Sequence, residues 1–372
     1  MLMANKIIAA GHICLDITPV FSTTRSVSKL EELLVPGKLI HMNPADVHTG
    51  GSVANTGLAL KILGNDVRLL GKIGDDEFGS MVKNILAQYG TGGLITDEKS
   101  STSYSVVLAV PGLDRIFLHN PGANDSFDSG DIPDEALEDA ALFHFGYPPL
   151  MRKMYENSGE ELRKIFARAK EKGVATSLDF AAVDPESDAG KAEWKAVLKN
   201  VLPYVDFFVP SFEELCFMLD RRLFNELAKM GGDMTEGLDL ECLAMPLCEK
   251  CIAMGAKVAV IKCGSSGMCY RTADRDAICS LCESLQLDLD EWADKKGTKP
   301  CFKPDALRSA TGAGDTSIAA FLTAVMMRRA PDDAVTLAAA EGAASVTSYD
   351  ALGGILSIEE LERRLKDGWE VL

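Results

Sequence analysis

Beyond residue 141 the chain alternates short apolar runs with longer stretches that repeat at the helical period. Residues 142–146, 175–180, 207–210 and 258–262 read as strands, and 156–172, 191–201, 213–220 and 240–254 as helices. Such alternation argues for an α/β protein with a largely parallel sheet, because each parallel connection needs a crossover that covers a sheet face. Functional residues are then expected at the carboxyl ends of strands. Asp179 ends one strand, and Ser211-Phe212-Glu213-Glu214 follows another.

The first part of the chain is patterned differently. Residues 6–17 read as strand, turn and strand, carrying Gly11-His12-Ile13-Cys14-Leu15-Asp16, and 36–42 as a turn and short strand. A double glycine, Gly50-Gly51, then leads through Ser52-Val53-Ala54-Asn55 into a helix ending at Leu63, and 67–79 read as strand, glycine turn and helix start. Residues 102–110 are rich in β-branched side chains, and beyond the turn Pro111-Gly112-Leu113-Asp114 residues 115–120 complete a hairpin. The strands near 13–20, 37–43 and 102–120 are expected to form a small sheet apart from the α/β body. The body is expected over 1–12, 47–99 and 123–372, the small sheet over 13–46 and 100–122, and a surface insertion over 271–304.

Residues 310–327 form the most chemically suggestive stretch. Ala310-Thr311-Gly312-Ala313-Gly314-Asp315-Thr316-Ser317 opens an apolar helix with small residues that let the backbone approach a ligand. The unpaired N–H groups and the dipole at a helix start suit a phosphate or a developing oxyanion. A carboxylate inside such a site is electrostatically awkward, and its natural task is to accept a proton from a substrate hydroxyl. Taken alone, Asp315 could equally cap its helix while the glycines make a turn.

Composition narrows the possible partners. The 372 residues are 47% hydrophobic and 25% charged, as in an ordinary globular protein, and the formal charge of −17 opposes general binding to nucleic acid or an anionic membrane. The N-terminus reads as a first strand rather than a signal peptide, and no apolar run approaches the roughly 18 residues of a membrane span. A cytoplasmic protein is expected. The 10 cysteines show no regular spacing and read as reduced residues. Cys248/Cys251 and Cys279/Cys282 could together mimic a four-cysteine zinc site, the alternative being buried or incidental thiols.

The 311–315 string resembles the C-terminal motif of the ribokinase-like (PfkB-type) carbohydrate kinases, and Gly50-Gly51 with Asn55 resembles their N-terminal motif. The resemblance covers nearly the whole chain, with both motifs in order. It implies a three-layer α/β/α sandwich with a mostly parallel central sheet and a small β lid, often used for dimerisation. It also implies transfer of the γ-phosphoryl group of ATP to a hydroxymethyl group of a small sugar. In that scheme Asp315 is the base, and the backbone of Gly312, Ala313 and Gly314 is the anion hole. Asp16, Gly50, Gly51, Asn55 and Asn124 contact the sugar, while Lys262, Gly264, Gly267 and Thr311 lie on the nucleotide side. Mg2+ bridges the phosphates, and Glu214 acts on it through water.

Three departures qualify the resemblance. Ser52 stands where several pentose kinases have lysine, Ser211 where the family usually has asparagine, and Ser309 where potassium-activated members commonly have aspartate. The sugar and any monovalent cation therefore stay open. A nucleoside kinase of the same fold is the nearest alternative, and a sugar-binding sensor without catalysis the alternative from another class.

Overall fold

The computed structural model describes residues 6–113 and 115–372. Residues 1–5 of the expected body and Asp114 of the expected hairpin turn lie outside the described residues. Thirteen strands are named in chain order: β1 (Lys6–Gly11), β2 (Cys14–Phe21), β3 (Met42–Gly50), β4 (Val67–Gly74), β5 (Leu94–Asp97), β6 (Tyr104–Leu108), β7 (Ile116–Asn120), β8 (Ala140–Gly146), β9 (Ala175–Asp179), β10 (Phe207–Phe208), β11 (Val258–Lys262), β12 (Met268–Thr272) and β13 (Lys296–Lys299).

Nine strands form one sheet in the order β13-β12-β11-β10-β9-β8-β1-β4-β5. Pairing is parallel from β5 through to β11, and β12 and β13 close that edge as antiparallel strands. The side chains of β1 show why this sheet is covered on both faces. Ile7 and Ala9 belong to one buried cluster, Ile8 and Ala10 to the other. All four are fully buried, and burying an isoleucine is worth about 1.5–3 kcal/mol, so β1 anchors the fold from both sides.

The order in which strands are laid down reverses at β1. From β1 the chain proceeds to β4 and β5 on one side, while from β8, its other neighbour, it proceeds through β9, β10 and β11 on the other. The carboxyl ends of β1 and β8 therefore flank a topological switch point, where α/β sheets open a crevice. Gly11 pairs with Gly146 there. Gly11 has φ +117°, and a Cβ on it would overlap the Gly146 carbonyl oxygen, so only glycine lets the two strand ends come this close.

The smaller sheet has the order β3-β2-β6-β7. It leaves the body directly after β1, with only His12 and Ile13 between. β3 occupies Met42–Gly50 instead of 37–43, so His48 to Gly50 pair with β2 rather than forming a loop. The sequence of β3 is polar and largely exposed, which hides a strand from hydrophobic patterning. An additional helix, Arg221–Met230, also escaped the pattern.

The 271–304 stretch departs from the expected surface insertion. Its helices Arg275–Leu285 and Leu289–Trp292 bury Ile278, Leu281, Leu285 and Trp292 in the core, and the Trp292 ring stands edge-on to Phe207 at 6.1 Å. Acidic residues on the outer face masked this apolar one. The paired cysteines do not meet: Cys248 and Cys251 lie in one core cluster and Cys282 in the other, across the sheet.

Candidate active site

Gly312 caps the helix Ala313–Met326 in a left-handed conformation, φ +77°, where any side chain would also collide with Ala351. Asp315 sits in the first turn and is nearly buried. Its Oδ2 accepts from Asn55 Nδ2 at 3.1 Å and its Oδ1 from Thr56 Oγ1 at 2.9 Å. Both donors stand in the first turns of the helix Ser52–Ile62. Residues some 260 positions apart in sequence thus share one carboxylate.

A third donor comes from the residue directly after β8. The Tyr147 hydroxyl donates to Asp315 and lies 2.7 Å from each carboxylate oxygen. Burial first, and then the Asp315 charge, holds this phenol protonated by raising its pKa well above the ordinary value. Tyr147 adopts φ +70°, a region tyrosine rarely occupies. It directly follows Gly146 at the switch point.

Lys262, at the end of β11, donates to Asp179 Oδ1 at 2.7 Å. A Cβ on Gly314 would stand 3.7 Å from Lys262 Nζ, so the ammonium lies beside the glycine loop. Burial pushes the Asp179 pKa upward, the Lys262 ammonium pulls it back down, and Glu214 and Asp315 add to the rise. For Lys262, burial pulls downward but Asp179, Glu214 and Asp315 outweigh it, and the ammonium stays charged. Three carboxylates around one lysine leave this end of the site short of positive charge. Glu214 closes a capping box: its Oε2 accepts from Ser211 N at 2.7 Å, and its N–H donates to Ser211 Oγ at 3.3 Å.

On the opposite side, Gly50 gives way to a carboxylate, since a Cβ there would overlap Asp16. Gly51 has φ +85°, and a Cβ would stand 2.5 Å from the His12 carbonyl oxygen and 2.6 Å from its Nδ1. Burial raises the pKa of Asp16, tempered by hydrogen bonds from Cys14 and Ser105. Arg115, the residue before β7, donates to Ser309 Oγ at 3.3 Å, beside the glycine loop.

Three residues expected at the site also have structural work of their own in the folded chain. Asn124 is fully buried and spends its amide on the backbone of Ile13, accepting from its N–H at 3.2 Å and donating to its carbonyl at 2.9 Å. It clamps the root of β2. Gly264 and Gly267 have positive φ, and side chains on them would overlap Thr235 and the Lys299 carbonyl, so the protein's own packing already requires them. Thr311 keeps a buried hydroxyl without a partner. Pattern reading missed Tyr147, Thr56, His12 and His119. The first and third could have been found from their position directly after the paired strand ends, whereas His119 carries no local signal.

The model of the pfkB family of carbohydrate kinases matches residues 18–356. The chain belongs to that family. It is 25% identical over 293 residues to "Fructokinase-2" of Oryza sativa subsp. japonica, covering 77% of this chain and 72% of the relative. Among solved structures it resembles Arabidopsis thaliana ribokinase complexed with ribose and ATP, with a TM-score of 0.70 and 16% identity over 98% of this chain and 99% of the other. It also resembles a putative ribokinase II from E. coli in complex with ATP and Mg2+, with a TM-score of 0.67 and 19% identity over 98% and 100% of the two chains. The fold is therefore ribokinase-like, and the protein is a phosphotransferase of the carbohydrate kinase class. No helix among the described residues is long and apolar enough to cross a membrane.

Proposed function

We propose that the protein transfers the γ-phosphoryl group of ATP to a hydroxymethyl group of a small free sugar or sugar-like alcohol. One observation carries this reading: the Asp315 carboxylate at the start of the glycine-loop helix is hydrogen-bonded by Asn55 and Thr56 from the helix behind Gly50-Gly51. The two motif regions thus converge on one potential proton acceptor.

Asp315 takes the hydroxyl proton as the oxygen bonds to phosphorus and the bond to the ADP oxygen breaks. The N–H groups of Gly312, Ala313 and Gly314 stabilise charge on the transferring group, and Lys262 and Thr311 hold the nucleotide phosphates. Asp16, Asn55 and the backbone at Gly50-Gly51 orient the sugar. Mg2+ neutralises phosphate charge when bound. The oxygen-rich surroundings of Asp179 and Glu214 suit that ion, which keeps most of its waters, and Glu214 would act through one of them. The small sheet serves as a lid that excludes water, with Arg115 against Ser309 as its closing contact. Phe117 and Leu118 on β7 are 56% and 53% exposed, and pairing of two lids in a homodimer would cover them.

The test is ADP formation from MgATP across hexoses, pentoses, sugar acids, inositols and nucleosides, with Asp315→Ala alongside. Turnover on one free sugar that falls by about 10²–10⁴ in the variant is expected. Turnover restricted to nucleosides would replace the substrate class, and binding of a sugar without turnover would favour a sensor.

A further inference from the structure

His12 and His119 face one another across the junction of body and lid. His12 is fully buried, and neither of its ring nitrogens has a hydrogen-bond partner. His119, on β7, engages Ser105 Oγ through Nδ1 at 3.0 Å and leaves a buried Nε2 unpartnered. The two rings are 5.2 Å apart, and the His12 ring is 6.0 Å from that of Tyr147, whose hydroxyl is on Asp315. His12 also lies against Gly51, and Ser105 neighbours Asp16. The unpartnered nitrogens therefore lie between Asp16 and Asp315, the residues proposed to hold the sugar and to take its proton.

We infer that His12 and His119 are specificity-determining residues, each reading a different hydroxyl of a neutral polyhydroxy substrate; the inference rests on the sugar kinase reading above. A neutral imidazole offers one donor and one acceptor, which is also what a hydroxyl offers. Burial lowers the pKa of both rings, and at His12 the neighbouring His119 lowers it further, so the pair is uncharged at neutral pH. A carboxylate or phosphate here would meet an acceptor nitrogen and the Asp16 carboxylate, which disfavours a charged acid at this position. Buried polar atoms left without partners in the free protein also penalise any substrate lacking the matching hydroxyl.

The experiment takes the free sugar turned over fastest, its monodeoxy analogues and its acid counterpart. It measures kcat/KM for each on the native protein, His12→Phe and His119→Leu. The native protein is expected to discriminate against at least two deoxy analogues by about 100-fold or more. His12→Phe should lose that discrimination at one position and His119→Leu at another, with KM for ATP unchanged. Variants that keep the native ratio of parent sugar to every deoxy analogue would overturn the inference and leave the kinase reading intact. Absence of turnover on all free sugars by the native protein would instead remove that reading, and the inference with it. Should His12→Phe fail to fold, His119→Leu decides alone, since His119 is only partly buried.

Discussion

The Tyr147 hydroxyl lies 2.7 Å from both carboxylate oxygens of Asp315, so the proposed base is engaged before any substrate arrives. An incoming sugar hydroxyl must share or displace this donor. Tyr147 is thus a positioning residue, and its left-handed backbone is the strained element that aims it. Tyr147→Phe is expected to lower kcat about tenfold, within the range of one hydrogen bond to a charged group, with sugar KM within about threefold of native. A large rise in KM at unchanged kcat would show that the phenol binds sugar instead.

The two neighbouring glycines should respond differently to alanine. At Gly50 the new Cβ overlaps a side chain, Asp16, which can swing away; at Gly51 it meets the His12 backbone at positive φ. Gly50→Ala should fold normally and raise sugar KM by about tenfold or more, the loss of roughly one charge-assisted hydrogen bond. Gly51→Ala should destabilise the protein by about 2 kcal/mol or more. Thermal unfolding and steady-state kinetics separate the two.

Breaking the Lys262–Asp179 pair leaves a buried carboxylate without its cation. Lys262→Met should cost about 3–5 kcal/mol of stability, and adding Asp179→Asn should restore most of it. On the proposed role of Lys262 at the nucleotide phosphates, activity should stay lost in both. Denaturant melts of the single and double variants check the first claim, and ADP release checks the second.

Glu341 is fully buried in the helix Pro331–Ser345. Its Oε2 accepts from Leu356 N at 3.2 Å and its Oε1 has no partner. Burial raises its pKa to about 8. A carboxyl raised in the folded state contributes stability that is complete below the unfolded value near 4.5 and is lost as pH rises through about 8. The shift corresponds to an order of 4–5 kcal/mol. Glu341→Gln should flatten the fall in melting temperature between about pH 4.5 and 8. An unchanged slope would assign that fall to other groups.

Much of the architecture follows from local pattern. Strands such as β1 and β11 are apolar on both faces, and their alternation with amphipathic helices dictates a covered parallel sheet. The glycine loop before Asp315 announces a helix start open to an anion, since backbone N–H groups there lack partners whatever the context. Polar β3 and the half-buried helices around Trp292 were illegible because burial depends on partners far away in the chain.

The site divides in the same way. Local sequence determined which residue types stand at turns, caps and strand ends, because those roles are set by φ, hydrogen-bond orphans and period. Only the tertiary structure decided which of them face each other. The reversal of strand order between β1 and β8 brings His12 beside Tyr147, and the crossing of two distant helices brings Asn55 and Thr56 onto Asp315. It also turned Asn124 inward to the Ile13 backbone. A single chain's pattern records distance along the sequence, whereas these contacts are set by how the layers pack.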